Sequence, residues 1–249
     1  MGNIPNSSPA SLSLEVSSVV KSYSGQPVLD AISFRIEGAR TLLLLGANGS
    51  GKSTLLRVLS GLLVPESGCV TLCPSSVLLS YYGHEPQLYV GLSVFENLSF
   101  FADLLSTRTN AEYDFSDKPV QHGAGDDLNA FIEHWELTAI RHKRVSELSR
   151  GMRARVGLCR AFLGAPHILL LDEPTSNLDQ NTAELVVKEI EAAHKRGAII
   201  VVASHDVTRL CGVAQEAIVL AHQNIVCHER LGPGGASIEA VPLYHKVNA

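Results

Sequence analysis

The residues with most chemistry in this sequence are Gly46-Ala47-Asn48-Gly49-Ser50-Gly51-Lys52-Ser53. They fit G-x-x-x-x-G-K-[ST], a loop whose glycines let the backbone curl so that successive amides point inward at phosphate oxygens. Lys52 is placed to reach the β- and γ-phosphates of a nucleotide, and the Ser53 hydroxyl to coordinate Mg²⁺. Ser53 and Thr54 open the following helix, whose positive end adds to the cradle. A second constellation is Ile168-Leu169-Leu170-Leu171-Asp172-Glu173, an apolar run ending in two acids. Adjacent carboxylates at a buried strand end are costly without a cation to offset them. Asp172 is therefore expected to hold the metal, through water, and Glu173 to orient or deprotonate an attacking water. Pro174 stops the strand and leaves the acids at its carboxyl end, where open α/β sheets bind ligands. His205, in VVASHD, follows a third apolar run and is expected to contact the γ-phosphate.

These residues need a scaffold that brings strand ends together. TLLLL (Thr41–Leu45), ILLLLD (Ile168–Asp172) and AIIVVA (Ala198–Ala203) have the length and β-branched content of parallel strands buried on both faces. Strand, glycine loop and an apolar-periodic segment from Ser53 to Leu63 make a βα unit. Leu12–Val20 and Ala31–Ile36 alternate apolar and polar and flank KSYSGQPVLD, expected as a turn-rich loop. Cys69–Tyr82 reads as one further β-like stretch. Ser93 with Glu96 forms a capping box ahead of a helix with Val94, Leu98, Phe101 and Leu105 on one face. Ser106–Asp127 is expected to be a mobile polar loop, and Leu128–Trp135 a short helix. EAIVLAHQNIVCHE looks like a hairpin. The division expected is a tail at 1–11, one domain at 12–232 with helices inserted at 84–148, and a tail at 233–249.

The 249 residues, 45% hydrophobic and 18% charged with net charge −5, fill one large α/β domain and disfavour nucleic acid as a partner. No apolar run approaches the roughly 20 residues of a membrane-spanning helix. The start, MGNIPNSSPAS, lacks a basic leader and an apolar segment, and Asn6 stands where a myristoylation motif wants Ser or Thr. Five scattered cysteines fit a reducing compartment and small-hydrophobe roles rather than a zinc site.

One stretch remains, Leu148-Ser149-Arg150-Gly151-Met152. The order of strand, glycine loop, helical insertion, LSRGM, LLLDEP, SNLD and SHD resembles the nucleotide-binding domain of ABC (ATP-binding cassette) ATPases, from about residue 12 to 229. The resemblance implies a P-loop, RecA-like α/β core with an antiparallel β-subdomain and an inserted α-helical subdomain. It implies ATP and Mg²⁺ as ligands and in-line attack of water on ATP. It also implies a dimer of ATP-binding subunits, in which Ser149 and Gly151 bind the γ-phosphate of ATP held by the opposite chain. Ser149 would cap a helix running to about Phe162, closed by Gly164 and Pro166. Tyr23 matches the aromatic that stacks on adenine, and Asp179 the loop linking the two sites. The metal-contacting Gln of the family falls on His84, with Gln87 nearby; Mg²⁺ prefers oxygen, so His84 is expected to act through water or in coupling. Arg150 replaces a glycine and is expected to be right-handed. YGHEP with LSRGM is similar to ATP-binding subunits of the cytochrome c maturation (CcmA-like) haem-exporter type. The implied partners are integral membrane transporter subunits, met at the cytoplasmic face of the inner membrane by a groove near His84–Phe101. Leu92, Phe95, Phe100 and Phe101 are candidates for its apolar surface. A non-transport ABC ATPase of DNA repair or translation, or an exporter of a drug or lipid, stays open beside this reading.

Overall fold

A computed structural model describes residues 11–106, 126–205 and 207–231. The expected tails apart from Ser11, nearly all of the expected polar loop, and Asp206 of the SHD motif lie outside the described residues.

Two sheets share one interior. The first is antiparallel, in the order β2-β1-β4: β1 (Ser13–Tyr23), β2 (Gln26–Glu37) and β4 (Ser67–Cys73). The second has the order β5-β6-β7-β3-β8-β9: β3 (Arg40–Leu45), β5 (Leu79–Tyr82), β6 (Ile168–Asp172), β7 (Ile199–Ala203), β8 (Glu216–Ala221) and β9 (Asn224–Arg230). Its strands run parallel except β9, which pairs antiparallel with β8. The longer helices are α1 (Lys52–Leu59), α2 (Val94–Ser106), α3 (Asp126–His134), α4 (Arg150–Phe162) and α5 (Gln180–Lys195), beside a short α6 (Val207–Leu210) and three 3-10 turns. This is the mixed α/β architecture expected from the sequence, with α2, α3 and α4 between β5 and β6.

Strand side chains alternate between faces, and here both faces are buried. Leu42, Leu44, Leu170, Val201 and Ile218 face α1 and the antiparallel sheet. Their neighbours Leu43, Leu45, Leu171, Val202 and Val219 face the other core, which holds the helices between β5 and β6. Trp135 anchors that second core, fully buried with its ring 6.3 Å from Phe131 and 5.5 Å from Phe162.

Two expectations are corrected. KSYSGQPVLD is mostly strand: β1 and β2 run on to a tight turn at Ser24 (φ 50°) and Gly25 (φ 76°). Two central residues with positive φ give the turn whose twist matches a hairpin. The β8–β9 hairpin, as read, closes the same way at His222 and Gln223 (φ 49° and 65°). Cys69–Tyr82 is not one stretch; it holds most of β4 and all of β5, which belong to different sheets. The capping box at Ser93 formed: Ser93 N donates to Glu96 Oε2 (2.7 Å) and Glu96 N to Ser93 Oγ (3.2 Å). Among the described residues no helix is long and apolar enough to cross a membrane.

His167 ties the entry of β5 to β6, its Nδ1 accepting from Leu78 N at 2.9 Å. Burial lowers its pKa below the ordinary 6.5; that of His194 is lowered too, by burial and then by Arg40 and Lys195. A histidine with depressed folded pKa binds fewer protons folded than unfolded, so stability is complete above the unfolded value and lost as pH falls below it. Unfolding free energy measured by denaturant titration should therefore drop from about pH 7.5 to pH 5.5, and less steeply in His167→Gln, whose amide oxygen can still accept from Leu78. Equal slopes would remove His167 from this account.

Candidate functional site

The carboxyl ends of β3, β6 and β7 open on a cleft of about 960 Å³. Tyr23, Gly46, Ala47, Asn48, Gly49, Gly51, Lys52, Ser53, Thr54, His84, Asp172, Glu173 and His205 of the expected site all line it. The loop after β3 depends on glycine at two places. Gly46 has φ 153°, and a Cβ there would sit 2.5 Å from Leu220 O; Gly51 has φ 102° with Val28 O 2.9 Å from such a Cβ. Lys52 is buried, 7% exposed, and Nζ donates to the carbonyls of Gly46 (2.7 Å) and Ala47 (3.1 Å). Burial lowers its pKa, and the charges of Glu173 and Asp172 pull it back up.

Asp172 ends β6, 3% exposed. Burial raises its pKa, the Ser53 hydroxyl bonded to it lowers it, and the Glu173 charge raises it again. Glu173 sits one residue past the strand with φ 51° and donates its N–H to Ala203 O at 2.8 Å. That left-handed backbone, sparsely populated by non-glycine residues, turns the side chain toward β7. There Oε2 accepts from His205 Nδ1 (2.7 Å), and lies 3.4 Å from His205 N and 3.5 Å from Ser204 Oγ. Ser176 fixes the turn by donating N and Oγ to Glu173 O at 3.1 and 2.9 Å.

A carboxylate left deep in the cleft beside a hydroxyl is a hard-oxygen donor pair, which suits Mg²⁺. Ser53 and Asp172 would hold that ion. His84 faces the same cleft and its charge bears on Asp172, whereas Gln87 lies elsewhere, in a groove beside Phe101. His84 supplies nitrogen, a poorer ligand for this cation.

Four expected residues are not brought to the cleft. Ser50 lies behind the loop, its Oγ buried without a hydrogen-bond partner. Ser149 caps α4, its Oγ accepting from Met152 N at 3.3 Å, and Gly151 packs under Asn177 O. Arg150, the first residue of α4, is right-handed and exposed. Asp179 caps α5: Oδ1 accepts from Thr182 N (2.9 Å) and Oδ2 from Thr182 Oγ1 (2.8 Å), holding its pKa below the ordinary carboxylate value. Within one chain its two oxygens are already engaged.

Sequence reasoning did not single out Val28, Ser176 or Asn177, which also line the cleft. The polar Thr175-Ser176-Asn177 run directly after the acids was a usable signal; Val28 had none, because it arrives from another strand.

The sequence matches the family described as ABC transporter over residues 29–176. It is 32% identical over 222 residues to the Nod factor export ATP-binding protein I of Rhizobium meliloti, covering 84% of this chain and 62% of that protein. It is 32% identical over 192 residues to the cytochrome c biogenesis ATP-binding export protein CcmA of Rhodobacter capsulatus, covering 77% of this chain and 80% of that one. The chain thus spans less than two thirds of the Nod factor protein's length. Among solved structures, an ATP-binding subunit of an ABC transporter superposes with TM-score 0.76 at 21% identity over 95% of this chain and 99% of its own. A dimeric ATP-binding cassette bound to ADP and Pi superposes with TM-score 0.72 at 21% identity over 87% and 98%. At these identities the superpositions speak for the fold.

Proposed function

Because this chain belongs to the ABC transporter family, we propose that it binds and hydrolyses ATP with Mg²⁺ to power transport through separate membrane subunits. The observation that carries the reading is the convergence of Lys52, Ser53, Asp172, Glu173 and His205 on one cleft. Loop amides of residues 46–54 and Lys52 take the phosphates, and Tyr23, 44% exposed at the rim, offers its ring to the base. Ser53 and Asp172 would hold magnesium, which would supply charge neutralisation to the phosphates. Glu173 orients water and accepts its proton. With Nδ1 facing Glu173, His205 offers Nε2 to the γ-phosphate, where it donates a hydrogen bond only as imidazolium.

Ser149 and the exposed first turn of α4 carry amide donors but do not line the chain's own cleft, so they serve ATP held by a second copy. The dimer therefore has two sites, each built from both chains. The groove beside α2 receives the membrane subunits at the cytoplasmic face of the membrane. Phe100 is exposed at 43% there, whereas Leu92, Phe95 and Phe101 are half-buried, with Phe95 under the Arg141 guanidinium. The resemblance of YGHEP and LSRGM to haem-exporter subunits is matched at equal identity by Nod factor exporters. With a spermidine/putrescine import ATP-binding protein also among the relatives, the reading is kept at the level they share, an ATP-binding subunit of a membrane transporter.

The purified chain should release phosphate from ATP only with magnesium, at a specific rate that rises with protein concentration as dimers form. A magnesium-independent rate, or one strictly proportional to concentration with no dimer in sedimentation, would count against the proposal.

A further inference from the structure

Of the described histidines, His84 and His205 line the cleft. His205 is committed to Glu173, with Nδ1 2.7 Å from Oε2. His84 is placed differently. β5 and β6 are parallel neighbours, Tyr82 lying opposite Leu171, so Asp172 and the loop carrying His84 leave the same end of two adjacent strands. His84 and Asp172 then line both the cleft and an adjoining notch of about 380 Å³. The charge of His84 bears on Asp172, and the Ser53 hydroxyl is bonded to that same carboxyl group.

The corner therefore offers a hydroxyl oxygen, a carboxylate oxygen and an imidazole nitrogen. Among the described residues no three His, Cys, Asp or Glu side chains gather into a metal cage, so the phosphates of a nucleotide must complete any coordination sphere here. The nitrogen decides between cations. Mg²⁺ demands oxygen ligands and gives up its waters reluctantly, so the ring meets it through a water. Divalent first-row transition ions also take phosphate and carboxylate oxygens, and they accept imidazole nitrogen directly.

We propose that His84 is a metal ligand whose nitrogen makes this nucleotide site prefer a divalent first-row transition ion, with Mn²⁺ as the probe, over Mg²⁺. This rests on the reading that Ser53 and Asp172 hold the cation accompanying ATP. It names the donor that chooses among cations, and magnesium stays an accepted ion.

The test uses the full chain and an ATP analogue with a methylene bridge between its β- and γ-phosphates, which resists hydrolysis and adds no nitrogen there. Calorimetric titration gives its dissociation constant with Mg²⁺ and with Mn²⁺. The advantage of Mn²⁺ should be about ten-fold or more greater in the parent than in His84→Gln, whose amide oxygen restores an all-oxygen set. His84 is exposed, so this change leaves the core untouched. Pulsed electron paramagnetic resonance of the Mn²⁺ complex reads the coordination itself. Nitrogen coupling should appear in the parent, change when the histidines carry the heavy nitrogen isotope, and vanish in His84→Gln. A parent complex without nitrogen coupling would overturn the proposal, and that measurement needs no variant. Coupling that survives His84→Gln would assign the nitrogen to His205 or the base and overturn it too. So would analogue binding that His84→Gln weakens equally with both ions, which would place the ring on the phosphates. A chain that retains the analogue with neither ion sinks the ATP reading itself; retention without nitrogen coupling removes only this proposal.

Discussion

Glu173→Gln lowers ATP hydrolysis by about two orders of magnitude or more, the usual contribution of a general base, while ATP binding persists and the ATP-bound dimer accumulates. The substitution is nearly isosteric. Its amide oxygen can still accept from His205 Nδ1, which Glu173 holds at 2.7 Å, and the backbone bond to Ala203 O is untouched. What disappears is a negative charge and a proton acceptor. The loss of charge has its own signature. Asp172 feels Glu173 as a repulsion that raises its pKa, so it should shift down; Lys52 feels it as an attraction, so it should fall further. Phosphate release at saturating ATP and sedimentation with and without nucleotide check both halves. Hydrolysis within a few-fold of the parent would remove Glu173 from the role of base.

Gly46→Ala is expected to cost ATP affinity at least as heavily as it costs stability. At φ 153° an L-residue is strained, and the new methyl would lie 2.5 Å from the carbonyl of Leu220, a backbone atom of a central strand, and closer still to the Ser50 hydroxyl. The strand cannot move, so the loop must. With it go the Gly46 carbonyl that anchors Lys52 and the amides that face the phosphates. Strain and overpacking of this kind cost about 1–3 kcal/mol each, and a cradle displaced by an ångström loses its preorganised donors together. Nucleotide titration should show binding weakened by about ten-fold or more, with a lowered melting temperature. Gly49→Ala is the control: it shares positive φ (83°) but meets nothing within 4 Å. Equal losses in the two variants would show that backbone conformation alone, not the contact with Leu220, governs the loop.

The site was legible where a short run of residues makes its own geometry. Gly46–Ser53 and Ile168–Glu173 each pair an apolar strand with the chemistry at its end, and Ser93 with Glu96 or Ser149 before α4 advertise helix starts locally. What escaped the sequence depended on partners far along the chain. The strands β1 and β2 extend through residues that read as loop because each is completed by the other. Cys69–Tyr82 divides between two sheets because β4 pairs with β1 and β5 with β6. Asp179, matched in the sequence to the loop linking the two sites, is also the cap of α5, and only the structure shows both its oxygens engaged by Thr182 within one chain. Arg160 carried no signal at all: in the sequence it is a polar position on an amphipathic helix, and only the arrival of Tyr81 and Phe101 removes it from water.

The place of β5 in the sheet has a mechanical consequence. It hangs from its neighbour by one side, over four register positions, whereas β6, β7 and β3 are each gripped from both. Midway along it the Tyr81 carbonyl is tethered to Arg160, and two residues past its end His84 looks onto the phosphates' side of the molecule. A displacement of the guanidinium would be met by an edge strand rather than by one held from both sides. This four-residue edge strand thus joins the groove of Arg160 and Phe101 on one side of the molecule to His84 in the cleft on another.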